Sequence, residues 1–215
     1  MKKLLIVRAH PYGSDRSRSM QLADAFLAGF RETHPDALVE DINLYTAAVP
    51  EIDIDLLSGW EQLHDGEEFI HLAPLQQAKL TLFDNYTMQF QSSDTVAIAN
   101  PLWNLSVPTR LKAWVDTVCR SGVTFRYNSE GRAEGLAGGK QVIHLQASGG
   151  HFGGNDPASK WLRTVFTFIG CEFQQYAAEG MDHEPERADE IMRDALEAVR
   201  QLGRDCLSRP AGRPS

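Results

Sequence analysis

Three serines and two arginines follow the first apolar run of the chain. Ser14, Ser17 and Ser19 are interspersed with Arg16 and Arg18, just before a stretch with helical spacing of apolar residues. Hydroxyls and free backbone N–H groups at the start of a helix form a site for an anion, and the helix dipole strengthens it. The pattern therefore indicates a site for a phosphate monoester. The alternative is a serine that caps the helix, with both arginines solvated.

A second segment with unusual chemistry spans residues 100–106 and contains Pro101, Leu102, Trp103, Asn104 and Leu105. Its tryptophan and leucines offer apolar surface to a flat ring, and the amide of Asn104 offers a donor and an acceptor to the edge of that ring. The alternative is an apolar loop that only covers the end of a sheet.

A third segment, residues 147–155, is rich in glycine. Ala147 and Ser148 lead into Gly149 and Gly150, and His151 follows. Glycines let a backbone approach a ligand closely and direct N–H groups at it. The alternative is a flexible turn without a ligand.

One apparent phosphate-binding motif does not meet its requirements. Gly138-Gly139-Lys140 resembles the end of a P-loop, but Gln141 stands where Ser or Thr is required. Glu134 also takes the place of the first glycine. A nucleoside triphosphate site of that class is therefore excluded.

The elements that must position these segments alternate along the chain. Apolar runs predict strands at 4–9, 39–44, 95–99, 142–147 and 171–177, with a helix at about 68–90 and another at 185–206. Pro50, Gly59 and Gly66 interrupt residues 46–92, so no element is predicted there before the helix at about 68. Residues 123–131 predict a short hairpin. This alternation predicts a doubly wound α/β fold with a five-stranded parallel sheet in the order 2-1-3-4-5 and helices on both faces. Ligands bind such sheets beyond the carboxyl ends of the strands, where the three segments would meet.

Length and composition limit the classes of function. The chain has 215 residues and a formal net charge of −8, which gives a nucleic-acid partner no electrostatic support. Its three cysteines lie far apart, so neither a disulfide framework nor a metal site is expected. We expect a single domain over residues 1–207 and a disordered Pro- and Gly-rich tail at 208–215. Without a signal-peptide core or a run of about 20 apolar residues, the prediction is a cytoplasmic protein with no membrane partner.

Longer motifs carry a family resemblance. Residues 100–108, Asn-Pro-Leu-Trp-Asn-Leu-Ser-Val-Pro, resemble the P-[ML]-[YW]-N-[FL] loop of the FMN-dependent NADH azoreductase and NADH:quinone oxidoreductase family. Residues 121–127 resemble its A-G-x-T-F-x-Y segment, and residues 135–140 resemble its G-L-x-x-G-K segment. The similarity extends over nearly the whole chain and is weakest at 46–92 and in the tail. It implies a flavodoxin-like fold.

The resemblance also implies roles for the three segments in FMN binding. Ser17, Arg18 and Ser19 would hold the phosphate, residues 101–105 would line the isoalloxazine ring, and residues 147–150 would contact its pyrimidine end. The chain has His10 and Ala147 where relatives carry Ser or Thr, so backbone contacts are expected at these two positions.

The implied activity is transfer of two electrons from NADH or NADPH to quinones and azo compounds in a ping-pong cycle. The flavin carries the chemistry, so no catalytic side chain is expected. Tyr127 and Phe168 would bound the substrate, with core packing as the alternative, and His151 would donate a hydrogen bond to it or lie on the surface. The resemblance further implies a homodimer with sites at the subunit interface. Two other hypotheses stay open: an electron carrier of the flavodoxin type that needs a reductase, and a flavin-free binding module.

Overall fold

Five apolar runs of the chain form one parallel sheet in this computed structural model, which describes residues 2–206. The strands are β1 (Lys3–Arg8), β2 (Leu38–Asn43), β3 (Thr95–Pro101), β4 (Phe125–Tyr127), β5 (Ala133–Gly135), β6 (Gln141–Ala147) and β7 (Glu172–Ala178). The large sheet has the order β2-β1-β3-β6-β7, and β4 pairs antiparallel with β5 as a separate hairpin. Counted over the large sheet alone, this is the predicted order 2-1-3-4-5, so the flavodoxin-like fold is confirmed.

In the part of the chain that the structure describes, six α-helices connect and cover these strands. They are α1 (Arg18–Thr33), α2 (Ile54–His64), α3 (Pro74–Gln91), α4 (Thr109–Val118), α5 (Pro157–Phe168) and α6 (Ala188–Asp205). Short 3-10 turns lie at Phe69–His71 and Pro185–Arg187. None of the helices within residues 2–206 is both long enough and apolar enough to cross a bilayer. The predicted disordered tail, 208–215, lies outside the described residues, and the division into one domain over 1–207 stays a prediction.

Alternate residues of the central strands build a core on each face of the sheet. Leu4 and Ile6 of β1 pack with α1 and α6, whereas Leu5 and Val7 pack with α3, α4 and α5. All four side chains are fully buried. Strands buried on both faces read as continuous apolar runs, which explains why the sequence revealed them.

The segment between β2 and β3 differs from the prediction. The helix expected over about 68–90 begins instead at Pro74, after a separate 3-10 turn. Pro74 stands in the first helical turn, where its missing N–H costs little, and the side chain of Gln76 accepts a hydrogen bond from the N–H of Ala73. The sequence did not predict α2, because Gly59 suggested a break. Gly59 lies inside α2, where a Cβ would come within 3.0 Å of the Leu80 side chain.

The two helices on one face cross at very short range. A Cβ on Gly29 of α1 would lie 1.9 Å from the carbonyl oxygen of Arg200 in α6. A Cβ on Gly203 of α6 would lie 2.2 Å from the carbonyl oxygen of Phe26. The crossing is therefore a backbone-to-backbone contact that admits only glycine at both positions.

We predict that Gly29→Ala lowers the free energy of unfolding by about 1–3 kcal/mol, because the added methyl group must separate two helices. Helix propensity alone would give the opposite sign, about 1 kcal/mol in favour of alanine. Urea unfolding followed by circular dichroism measures the change. Gly59→Ala is the matched control, since the tightest contact of its methyl group, at 3.0 Å, is with the end of the flexible Leu80 side chain. A Gly29→Ala variant as stable as the wild type would contradict the short crossing.

Candidate active site

The carboxyl ends of β1, β3 and β6 meet at one edge of the sheet. Because β3 pairs with β1 on one side and with β6 on the other, the three loops that follow these strands surround a single cleft. Its volume is about 430 Å³, within the range of roughly 300–1,000 Å³ that is typical of small-molecule sites. The cleft is lined by His10, Arg16, Ser17, Arg18, Ser19, Pro101, Leu102, Trp103, Ala147, Ser148, Gly149, Met181 and Asp182.

The serines of the first loop are buried at the start of α1. Ser17 occupies the N-cap position, but its side chain makes no capping hydrogen bond. Its Oγ lies 3.2 Å from Oγ of Ser19, and both residues are less than 5% exposed. The Ser17 hydroxyl therefore does not serve as a helix cap. Two buried hydroxyls beside the positive end of a helix suit an anionic ligand.

The two arginines of this loop both belong to the cleft lining, but their partners differ. The Arg16 guanidinium lies 3.9 Å from the centre of the Tyr12 ring, a cation–π contact. Arg18 instead donates a hydrogen bond of 3.1 Å to Oδ1 of Asp182. Each arginine thus has a partner within the fold rather than solvent alone.

His10 stands at the end of β1 as a neutral ring. Nδ1 of His10 accepts a hydrogen bond of 3.0 Å from the backbone N–H of Tyr12, and its ring centre lies 5.3 Å from that of Trp103. Burial lowers the pKa of His10 below its ordinary value. With Nδ1 as acceptor, Nε2 carries the proton and can donate a hydrogen bond.

The second loop closes in a tight turn of unusual backbone conformation. Trp103 and Ser106 exchange both backbone hydrogen bonds, 3.1 and 2.9 Å long. Between them, Asn104 and Leu105 both adopt positive φ, 49° and 60°. Asparagine tolerates this conformation, but for leucine it is strained, and such strain clusters at functional sites. The turn leaves Trp103 39% exposed beside the cleft.

Glu179 holds the glycine-rich third loop in place. Its carboxylate accepts hydrogen bonds from the N–H groups of Phe152, Gly153 and Gly154, at 2.7, 2.7 and 2.9 Å. Hydrogen bonds to a charged acceptor are stronger than neutral ones, so this part of the loop is fixed. Residues 152–154 therefore do not form the flexible turn that was the alternative.

The two glycines nearest the cleft keep backbone donors available. The carbonyl oxygens of Gly149 and Gly150 accept hydrogen bonds of 3.1 Å from the N–H groups of Asp182 and Gly180. The N–H groups of Gly149 and Gly150 donate to no acceptor within residues 2–206. Such N–H groups can stabilise negative charge on a ligand.

A buried polar network lies beneath the cleft and joins β3 to β6. The amide nitrogen of Asn100 donates to the carbonyl of Pro101, so its Oδ1 is the atom that faces His144. Because Oδ1 can only accept, Nε2 of His144 donates to it, at 2.8 Å. The same amide lies 3.4 Å from Oε1 of Gln146, whose own amide donates to Asp156 at 2.9 Å. Asn100 and Pro101, predicted as loop, thus extend β3 and pair with Gln146 and Ala147. The network fixes the points at which the second and third loops leave the sheet.

Several predicted site residues lie outside the cleft lining. Asn104 and Leu105 form the tip of the strained turn, and Gly150 lies just beyond Gly149. Tyr127 and Phe168 pack instead on Phe125, with ring centres 5.9 and 4.9 Å from its own, and they are 64% and 37% exposed. His151 is exposed, with Nε2 2.8 Å from the Glu184 carboxylate. The structure therefore unites most of the predicted cofactor residues but not the three predicted substrate residues.

Met181 and Asp182 line the cleft but were not predicted. They follow β7, whose carboxyl end reaches the same edge of the sheet as the other three strands. The loop after β7 contains neither a serine nor a glycine pair, so no motif singled it out. The rule for parallel sheets, applied to every strand, would have included it.

Comparisons with known proteins agree with this geometry. Residues 2–202 match a family model described as "Flavodoxin-like fold". A relative from Bacillus pumilus, named "FMN-dependent NADH:quinone oxidoreductase", is 36% identical over 210 residues, which cover 95% of this chain and 99% of the relative. The chain belongs to this flavodoxin-like family.

Solved structures of family members resemble the chain over nearly its full length. An azoreductase from Bacillus anthracis str. Sterne has a TM-score of 0.87 at 30% identity and covers 95% of this chain and 100% of its own. An FMN-dependent NADH-azoreductase from Bacillus anthracis str. Ames Ancestor, solved in complex with FMN, has a TM-score of 0.84 at 31% identity and covers 94% of this chain and 100% of its own. The family resemblance inferred from the motifs is confirmed.

We predict that His144 makes the stability of this family member depend on pH. Burial lowers the pKa of His144 from 6.5 to about 4. The unfolded chain therefore binds more protons between these two pH values, so the contribution of neutral His144 is complete above about pH 6.5 and is lost as the pH falls toward 4. His144→Asn removes this titration.

Urea unfolding of wild type and His144→Asn across pH 4–7 measures the effect. The difference between the two free energies of unfolding should fall with decreasing pH, by at most about 1.4 kcal/mol per unit. Titrating groups that do not interact with His144 cancel in that difference. A constant difference over the whole range would show that His144 protonates without cost.

Proposed function

We propose that the chain is an FMN-dependent oxidoreductase that transfers two electrons from a reduced nicotinamide to quinones and azo compounds. The observation that carries the proposal is the cleft itself, which joins a cationic, hydroxyl-lined end to an apolar wall and to backbone donors. The relatives named "FMN-dependent NADH:quinone oxidoreductase" cover nearly the whole chain, which supports the same activity here.

The chemistry of the cleft suits FMN along its length. Ser17, Arg18 and Ser19 would bind the phosphate, because they offer two hydroxyls, a guanidinium and a helix N-terminus. Residues 101–105 would line the isoalloxazine ring, with Trp103 beside it. Residues 147–150 would contact the pyrimidine end through backbone N–H groups, which is also how Ala147 would serve without a hydroxyl.

Bound FMN would accept a hydride from the nicotinamide and pass two electrons to the acceptor. The protein would position the ring and stabilise negative charge on it, through the N–H groups of Gly149 and Gly150. His10, with its proton on Nε2, would donate a hydrogen bond to the ligand from the side of the cleft that contains Trp103. No side chain is assigned as a general acid or base.

The two substrates would occupy one site in turn, which is a ping-pong order. We place both on the open face of the ring, bounded by Tyr127, His151 and Phe168. NADPH differs from NADH by one phosphate group. The cleft residues include no arginine besides Arg16 and Arg18 that could recognise it, so the choice between NADH and NADPH stays open. A cytoplasmic location is part of the same proposal.

A homodimer would bring these three substrate residues to the cleft. Exposed apolar side chains are concentrated between the residues just before α2 and the first turn of α3; they are Ile52, Ile54, Leu57, Phe69, Ile70 and Leu75. Large apolar surfaces of this kind mark interaction sites. A second copy of the chain against this surface would enclose the open side of each cleft.

Two experiments test the proposal, and the first concerns electron transfer. The purified protein, supplied with FMN and then freed of unbound flavin by gel filtration, should be yellow, lose its flavin absorbance on anaerobic addition of NADH or NADPH, and regain it on addition of a quinone. A stopped-flow spectrophotometer follows both steps. Ser17→Asp, which sets a negative charge against the phosphate, should remain colourless. A wild-type protein that holds FMN but needs a separate reductase would be an electron carrier, and one that binds no FMN would be a flavin-free module.

The second experiment concerns assembly. Sedimentation equilibrium should give twice the mass of one chain, because the exposed apolar side chains are covered in a dimer. Ile54→Asp and Ile70→Asp should shift the equilibrium toward the monomer, since each buries a charge in the contact. Ala198→Asp, an exposed residue of α6 on the opposite face of the sheet, is the control with the same added charge. A monomer at all concentrations would remove the dimer from the account.

A further inference from the structure

An acidic side chain lines the end of the cleft that is proposed to bind phosphate. Oδ1 of Asp182 accepts a hydrogen bond of 3.1 Å from the Arg18 guanidinium. Asp182 therefore places a negative charge in direct contact with Arg18, the cation that is proposed to bind the anionic ligand. Its charge has no role in the binding scheme described so far.

The position of Asp182 is set by the third loop. Its backbone N–H donates to the carbonyl of Gly149 at 3.1 Å. A Cβ on Gly149 would lie 1.9 Å from Oδ2 of Asp182 and 2.8 Å from its Cβ. The carboxylate thus rests on the Cα of Gly149, in space that only glycine leaves free. Arg18 and Gly149 hold it between the first and third loops.

The Arg18–Asp182 pair is weak enough to open. The Arg18 and Asp182 side chains are 43% and 71% exposed, and exposed ion pairs contribute little because water and salt screen them. A phosphate dianion carries more charge than a carboxylate and binds guanidinium by the same hydrogen bonds. Binding at Ser17 and Ser19 therefore sets phosphate and Asp182 in competition for Arg18.

We propose that Asp182 is an affinity-setting residue of the cleft, which weakens the binding of a phosphorylated flavin by competing for Arg18 and repelling the phosphate. The inference rests on the proposed function, since it assigns the anion to FMN. Arg16 and Arg18 supply two positive charges to the cleft lining, and Asp182 cancels one of them. Removal of the carboxylate leaves both arginines for the ligand. The unphosphorylated ligand, riboflavin, is indifferent to this charge.

The experiment compares the affinities of FMN and riboflavin for flavin-free protein, measured by quenching of flavin fluorescence. Asp182→Asn should lower the Kd of FMN about 3- to 10-fold and change that of riboflavin less than about twofold. The gain for FMN should shrink at high salt. Asp182→Ser is a second variant, which removes the charge with a smaller side chain. Glu186→Gln, an exposed carboxylate four residues along, is the control with the same change in net charge.

A double-mutant cycle assigns the effect to Arg18. Arg18→Gln should weaken FMN binding, and Asp182→Asn in that background should improve it less than in the wild type, because the competition is gone. Unchanged or weaker FMN binding by Asp182→Asn, or an equal gain for riboflavin, would overturn the inference while the proposed function stands. A wild-type protein that binds neither flavin would overturn both.

Discussion

The position of β3 between β1 and β6 is the constraint on which the candidate site depends. Parallel pairing on both sides of β3 brings three carboxyl ends to one edge of the sheet. The strand order changes direction between β1 and β3, and the loops that follow these two strands therefore diverge and leave a crevice. The serines of the first loop, the turn of the second and the glycines of the third are far apart in sequence. They line one cleft only because β3 separates and aligns the two neighbouring strands.

The loops around the crevice combine strain with rigid support. Asn104 and Leu105 both adopt positive φ, which costs about 1–3 kcal/mol for a residue such as leucine. The strand ends beneath them are fixed by the hydrogen bonds that link His144, Asn100 and Gln146. A strained turn keeps its conformation only where the residues on either side of it are held rigidly. The buried polar network that joins β3 to β6 holds them. The surface proposed to bind the ring is therefore held in place by the fold itself.

The sequence predicted the parts of the fold that depend on local pattern, because buried strands are continuous apolar runs. It missed α2, since Gly59 was interpreted as a break although it packs against Leu80 within a helix. It also missed Met181 and Asp182, which reach the cleft by topology and not by motif. Most of the predicted cofactor residues do line the cleft, since hydroxyl, aromatic and glycine patterns mark loops whose chemistry is local. Side-chain partners across loops, such as that of Arg18, depend on three-dimensional placement that no spacing encodes.

A crystal structure of the protein grown with FMN tests the central claim most directly. The account predicts density for a flat tricyclic ring against residues 101–103, with the phosphate within hydrogen-bond distance of Ser17 and Ser19. The ring edge should face the backbone of residues 147–150. Density for FMN at another edge of the sheet, or a cleft filled by the chain's own side chains in the presence of saturating FMN, would contradict it.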